Sequence, residues 1–416
     1  MRISRRASEL KPSSTVAVTN RAKKMQADGL DVLSFAAGEP DFDTPEPIKE
    51  AAIAALRAGQ TKYMPTMGDV KTRQTIADKV ARENRIPGVT AEHVGISSGG
   101  KHALYTVCQC LFDVPRSGEK QAECLIPVPA WVSYMPLAEL AGARVVELPT
   151  TVEADFKISP EQLRAAITPQ ARMLVLCTPS NPCGTMYTES ELRALASVIA
   201  ESARTTAPDL VVLSDEIYEK VAYGGIPHFS IGSIPEIAER TITLNGLSKA
   251  YSMTGWRIGY TVASGAWGLE FIRAMATLQG QMTTNITSFT YPAIRTALLE
   301  CEPQAREFCA RFGERARLIH SSVSTIPGLA CARPTGAFYV FPDVSSHFGK
   351  TSGGGRAINS ALDFCEALLA ESLVAAVPGE DFGGCGRKHV RFSFACSEDT
   401  IKKGMDRLAK FVDALR

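Results

Sequence analysis

The sequence has no apolar run approaching the ~18 residues of a membrane-spanning helix, which predicts a protein without transmembrane segments. It also has almost no net charge. Lys and Arg number 45 against 44 Asp and Glu, a balance of +1 that gives no electrostatic reason to expect nucleic acid or a membrane surface as partner. No apolar segment follows the basic residues of MRISRRASELKPSS, so this stretch does not read as a secretory signal. Metal-ligand spacing is missing too. The eleven cysteines are scattered, Cys108 and Cys110 form C-x-C rather than C-x-x-C, and the six histidines are dispersed. The cysteines read as reduced thiols of a cytoplasmic protein, and no metal is expected. No internal repeat is present. What remains is 416 residues, 45% hydrophobic and 21% charged, enough for two globular domains.

Along the chain, apolar runs alternate with amphipathic ones. The pattern predicts short strands at 32–37, 94–97, 123–126, 144–147, 172–177, 210–214 and 241–244. Helices are predicted at 13–29, 45–58, 70–84, 98–111, 131–141, 159–166 and 189–204. Near-continuous apolar strands between helices indicate an α/β fold with a mostly parallel sheet. Beyond residue 260 come helices at 267–277, 288–300 and 303–324, and a strand at 334–341 after a turn. A flexible Gly-rich loop at 351–355, a helix at 358–372, strands at 374–377 and 389–394, and a closing helix at 400–415 complete the chain. The long helices link to a second region, where the short strands with their covering helices read as a smaller α+β domain. The expected division is a large domain over 46–290 and a small one made of 1–45 and 291–416.

Ligands of parallel α/β sheets bind beyond the carboxyl ends of the strands. Four groups stand there: Gly99-Gly100-Lys101, Asn181, Asp215 and Lys249. Around Lys249 the chain reads TITLNGLSKAYSMTGWRIGY. A lysine just after a strand and between small residues can be desolvated and flanked by positive charge. That lowers its pKa and frees its lone pair for a Schiff base. Ser248 and Arg257 would hold a phosphate beside it, and a glycine pair at a helix N-terminus is a generic anion cradle. A Schiff-base lysine with a phosphate clamp suits pyridoxal 5′-phosphate (PLP). Each residue also has a plainer reading: Lys249 as a loop lysine, Gly99-Gly100 as a turn, Asp215 as a helix cap. Likewise Tyr218 and Trp131 read as packing aromatics, Asn181 as a turn residue and Arg391 as an exposed strand residue.

Six motifs in one order decide between these readings. Gly38-Glu39-Pro40-Asp41-Phe42, Ser180-Asn181-Pro182-x-Gly184, Ser214-Asp215-Glu216-Ile217-Tyr218, Ser248-Lys249-Ala250, Gly255-Trp256-Arg257-Ile258-Gly259 and Val390-Arg391-Phe392-Ser393 together resemble the class I aminotransferases of PLP fold type I. The resemblance runs nearly end to end. Lys11-Pro12-Ser13, Gly99-Gly100-Lys101 and Trp131-Val132-Ser133-Tyr134 are most similar to bacterial aspartate and aspartate-prephenate aminotransferases of subgroup I-beta.

The resemblance implies PLP as cofactor, a large domain with a seven-stranded sheet, and a homodimer with shared active sites. It makes Lys249 the Schiff-base and proton-shuttling lysine, Asp215 the partner of the pyridine nitrogen, and Tyr218 and Asn181 donors to the phenolate oxygen. Trp131 would stack on the ring. Gly99, Gly100, Lys101, Ser248 and Arg257 would hold the phosphate, with Tyr63 reaching that of the neighbouring subunit. Arg391 would clamp the substrate α-carboxylate, assisted by Asn181, Trp131 and the Gly38 backbone. Lys101 and Thr15 would meet a side-chain carboxylate. The implied reaction moves the amino group of L-aspartate or L-glutamate to a keto acid, in ping-pong half-reactions through an internal aldimine. Prephenate or aromatic amino acid transamination is the alternative, because relatives with the residues of Lys11, Thr15 and Lys101 accept prephenate. The pattern departs at Asn181-Pro182-Cys183-Gly184, where threonine is usual for Cys183, and at 63–69, near the presumed substrate mouth. A transcription regulator of the same fold would carry a DNA-binding domain ahead of the match, and only about a dozen residues precede it here.

Overall fold

A computed structural model describes residues 2–10 and 14–416; the Lys11-Pro12-Ser13 motif and the expected start of the first long helix lie outside them. The centre is a seven-stranded sheet. Its strands are β1 (Val94–Ser97), β2 (Glu123–Val128), β3 (Arg144–Pro149), β4 (Ala171–Cys177), β5 (Val211–Asp215), β6 (Thr241–Gly246) and β7 (Gly259–Ala263). In space they run β1-β7-β6-β5-β4-β2-β3, all parallel except β7, which is antiparallel to both neighbours. The fold is α/β with a mostly parallel sheet.

Strand side chains alternate between faces, so consecutive apolar residues feed two separate cores. Met173, Val175, Leu213 and Ile242 pack with Leu104, Val107, Phe271 and Met275 of the helices Gly100–Leu111 and Gly265–Gly280. Leu174, Leu176 and Val212 meet Leu192, Leu195 and Ile199 of Glu189–Thr205 on the other face. That helix begins with a reciprocal capping box between Thr188 and Glu191.

Register then builds the site. Cys177, Asp215 and Leu244 pair across β4, β5 and β6, so these three strands end in one row. Gly259 on antiparallel β7 lies opposite both Gly246 and Ser97. The chain entering β7 therefore passes beside the turn leaving β1, and Gly259 is what permits it. A Cβ there would stand 2.5 Å from the Gly100 nitrogen.

A third core joins the chain's beginning to its end. Leu33–Ser34 pairs in parallel with Val374–Ala375, and Val377–Pro378, Val390–Ser393 and Tyr339–Val340 form an antiparallel sheet. Phe312, Ile319, Phe364, Leu368, Leu408 and Phe411 of three helices, Glu302–Ser324, Ala361–Ser372 and Glu398–Asp413, pack beside Phe35, Phe338 and Phe392.

Several elements differ from expectation. β7 has no counterpart among the predicted strands. Its run Gly259-Tyr260-Thr261-Val262-Ala263 is bracketed by glycine and serine and is too short for a periodicity to separate strand from loop. The helix expected at 131–141 spans Tyr134–Leu140, leaving Trp131 in the preceding turn. The helix expected over 70–84 is α-helical over Val70–Lys79, widens to a π-turn over Val80–Asn84, and stops at Arg85 with φ 57°. Of 334–341 only Tyr339–Val340 is strand. The glycine loop is tied rather than free. Lys350–Thr351 pairs with Ala357–Ile358, and Thr351 exchanges backbone bonds of 2.7 and 3.0 Å with Arg416. Glu371 accepts from the Gly354 N–H at 3.0 Å and from the Ser352 hydroxyl.

Candidate active site

The row of strand ends opens into a cavity of about 300 Å³. Thr15, Gly38, Gly100, Lys101, Trp131, Asn181, Asp215, Tyr218, Ser248, Lys249, Arg257 and Arg391 line it. Of the candidate site residues among the described ones, Gly99 and Tyr63 stand outside this lining; Lys11 lies outside the described residues.

Lys249 sits in the turn after β6 and donates from Nζ to the Gly38 carbonyl. Its ammonium lies 5.8 and 6.0 Å from the Phe338 and Tyr218 rings. Burial, with Arg391 and Arg257 nearby, outweighs the pull of Glu39 and Asp215 and lowers its pKa from 10.5 to about 8. Asp215 closes β5 and is 4% exposed. One carboxylate oxygen accepts from the Ile217 N–H at 3.1 Å and the other from the Tyr134 hydroxyl at 2.6 Å. Desolvation outweighs both bonds and raises its pKa from 3.8 to about 6.

The anion cradle is a product of glycine geometry. Gly99 has φ +82°, and a Cβ on it would lie 2.3 Å from Nη2 of Arg257. Gly99 therefore does not face the cavity; it makes room for the guanidinium. Arg257 is itself left-handed, at φ 56°, and donates from Nη1 to the Thr254 carbonyl at 2.8 Å. The helix starting at Gly100, the buried Ser248 and Arg257 thus converge on one side of the cavity, where helix N–H groups and positive charge favour an anion.

Arg391, also in the lining, is 2% exposed, with Nη1 donating to Asn181 Oδ1 at 3.0 Å and Nη2 to the Ala36 carbonyl at 2.8 Å. Its guanidinium carbon stands 4.7 Å from the Tyr339 ring centre. Its Nε has no partner, and among the described residues no carboxylate pairs with it. Lys101 extends over Trp131, 5.1 Å from the ring centre, its pKa lowered by burial and by Arg257. The Thr15 hydroxyl oxygen is buried without a partner. Tyr63 is 88% exposed and belongs to the outer surface of this chain.

Sequence reasoning missed two hydroxyls. Tyr134 lies in one of the family-like motifs without an implied role, and Tyr339 lies in a predicted strand. The Tyr339 hydroxyl bonds that of Tyr218 at 2.7 Å, and a Cβ on Gly38 would come within 2.6 Å of it. Tyr218 thus already has a partner. No local signal distinguishes either tyrosine from a packing aromatic, because their partners lie 81 and 121 residues away.

Outside the cavity, Glu216 and Glu219 alternate with Asp215 and Tyr218 and point the other way. Asn84 donates to both carboxylates, at 2.9 and 2.7 Å, and buried Lys79 donates to Glu219 and to Asn84 Oδ1. Together with His228 the two carboxylates could hold a metal ion by distance, but Lys79 already supplies the neutralising charge.

Residues 30–408 match the family described as aminotransferase class I and II. The chain is 40% identical to the aspartate aminotransferase of Bacillus subtilis over 415 residues, 99% of each. It is also 40% identical to an aspartate/prephenate aminotransferase of Cereibacter sphaeroides, covering 98% of this chain and 97% of that one. The solved structure of an aspartate aminotransferase from Rhizobium meliloti superimposes with a TM-score of 0.91 at 33% identity and full coverage of both chains. That of Thermus thermophilus aspartate aminotransferase with maleate gives 0.88 at 38%, covering 99% of this chain and 100% of that one. With a family match over most of its length and full-length relatives at this identity, the chain belongs to the class I and II aminotransferases.

Proposed function

We propose that this protein is a PLP-dependent aminotransferase that takes its amino group from L-aspartate or L-glutamate. The observation that carries this is the buried guanidinium of Arg391, which has no carboxylate partner among the described residues and shares its cavity with a lysine of lowered proton affinity. A buried cation without a counter-ion is costly unless a ligand supplies one. The orphaned Nε and the planar fork suit a substrate carboxylate.

The residues present fit PLP. Gly100, Ser248 and Arg257 would hold its phosphate, Trp131 would cover its ring, and Asp215 would pair with its ring nitrogen. When bound, PLP supplies an electrophilic carbon and a sink for the electrons left at substrate Cα. The chain does the rest. Arg391 orients the amino acid through its α-carboxylate, and Lys101 with Thr15 receives the side-chain carboxylate. Lys249 Nζ takes the Cα proton and returns one when a keto acid is aminated. Tyr218 and Asn181 hold hydrogen bonds at the phenolate oxygen, and Asp215 keeps a proton at the ring nitrogen.

We read the chain as a cytoplasmic homodimer in which exposed Tyr63 reaches the neighbouring phosphate. The two-domain division at 46–290 against 1–45 and 291–416 is part of the same reading. Its support is the pairing of Leu33–Ser34 with Val374–Ala375, which ties the first segment to the last. Among the described residues no helix is long and apolar enough to cross a membrane.

The test is the absorption spectrum of the PLP-loaded protein before and after L-aspartate, with no keto acid present. Conversion of the visible band to that of the amine form supports the reading. A bound cofactor that ignores aspartate and glutamate sinks the substrate, and failure to bind PLP sinks the function. Prephenate as amino acceptor is a second reading. It is favoured by the placement of Lys101, a point charge on a flexible stem lying over an aromatic face, which can swing to meet the second, ring-borne carboxylate of prephenate. Prephenate-dependent consumption of aspartate would establish it.

A further inference from the structure

Asp215 occupies a site that by itself disfavours its charge. It is only 4% exposed, it ends a strand buried along its whole length, and Glu216 comes next in the chain. Two hydrogen-bond donors and the charge of Lys249 oppose this, and the Cys177 thiol lies against both Asp215 and Tyr134. The Ile217 N–H is fixed by the backbone, whereas the Tyr134 hydroxyl arrives from another element, the first residue of the helix Tyr134–Leu140. Tyr134 is 2% exposed and packs edge-on against Trp131 at 5.4 Å between ring centres. Its hydroxyl makes the shorter of the two contacts with Asp215. A phenol held this way can donate to a carboxylate but cannot ionise beside it; burial and Asp215 both push its own pKa well above the ordinary range. The Tyr134 proton is therefore always available to Asp215.

We infer that Tyr134 is a positioning residue of the active site, which holds the Asp215 carboxylate ionised and correctly turned toward the cofactor's ring nitrogen, and which couples the stacking Trp131 to that carboxylate. The inference rests on the proposed role of Asp215. The physical logic is that of an outer hydrogen bond fixing the orientation and basicity of an inner ligand. Removing the donor leaves a buried carboxylate oxygen unsatisfied, which favours the protonated acid. A protonated Asp215 no longer holds a proton on the ring nitrogen, and the lysine–cofactor linkage then gives up its own proton at higher pH.

The experiment compares PLP-loaded wild type, Y134F, D215N and the double variant. Two quantities are read: the rate at which PLP is lost to a scavenging apoprotein, and the pH midpoint of the visible band. For Y134F the expected result is PLP loss faster by about tenfold and a midpoint raised by about one pH unit. In the D215N background the same substitution changes neither, because Tyr134 acts through Asp215. Equal values for Y134F and wild type overturn the inference, and so does an undiminished Y134F effect in the D215N background. If D215N itself leaves both quantities unchanged, the role assigned to Asp215 fails, and the inference with it. Should Y134F not yield folded protein, Y134H, which keeps a ring with an N–H donor, is compared with Y134L. Retention and midpoint closer to wild type for the histidine support the donor role; equal values overturn it.

Discussion

Asp215→Asn should make the cofactor-free protein more stable while depriving it of function. In the unfolded chain an aspartate ionises near 3.8, whereas burial holds Asp215 at about 6 in the fold. The folded state therefore binds the extra proton between these values, and stability falls as pH rises through the window. The full penalty, a little over two units or about 3 kcal/mol, is present above pH 6. It shrinks to about half by pH 5 and disappears below the unfolded pKa. Asparagine keeps an oxygen to accept from Tyr134 or Ile217 and carries no charge, so it escapes this penalty. Urea unfolding of the cofactor-free wild type and D215N at pH 7.5 and pH 5 measures the difference. D215N is expected to be more stable by up to about 3 kcal/mol at the higher pH, with the gap narrowing at the lower. PLP affinity and aspartate turnover should fall in the same variant if Asp215 is, as proposed, the anionic partner of the ring nitrogen. A D215N protein less stable than wild type at pH 7.5, or a gap that does not change with pH, would refute the argument that the site holds this carboxylate against its own desolvation.

Three further outcomes are expected. Arg391→Lys cannot bond both Asn181 and the Ala36 carbonyl while offering a fork to substrate, so kcat/KM for aspartate should drop about 100-fold, about 2.7 kcal/mol; an unchanged KM in steady-state assays would exclude the clamp. Gly99→Ala places a Cβ against the Arg257 guanidinium at a left-handed φ, costing on the order of 1–3 kcal/mol. Equilibrium dialysis should show weaker PLP binding, and equal affinity would argue against Arg257 as a phosphate ligand. Lys79→Met strips Glu219 of its buried partner, the main influence that holds that carboxyl down at about 2 against the opposing effect of burial. Unfolding free energy at neutral pH should fall by about 3–5 kcal/mol, and a loss below about 1 kcal/mol would mean that Lys220 and Asn84 suffice.

The family, the reaction class and most cavity residues were legible in sequence because the chemistry is local in its grammar. A lysine after a strand, a glycine pair before a helix, and an aspartate ending an apolar run each mark a strand's carboxyl end. Parallel topology then obliges such ends to meet. The two-core strand pattern, the capped helix at Glu189–Thr205 and strand β1 follow from alternation and capping that a few neighbouring residues decide. Tertiary structure alone decided the rest. β7 is a strand because it completes a sheet between β6 and β1, not because its five residues insist on it. Gly99 serves Arg257 rather than the cavity, a fact fixed by two left-handed residues and the close passage of two chains. The loop at 351–355 is ordered by Glu371 and by the last residue of the chain. Tyr134 and Tyr339 look like core aromatics until the fold sets their hydroxyls against Asp215 and Tyr218. Sequence specifies which groups are present and which strand ends carry them, whereas hydrogen bonds between distant residues depend on positions to within a fraction of an ångström, and only the packed fold sets those.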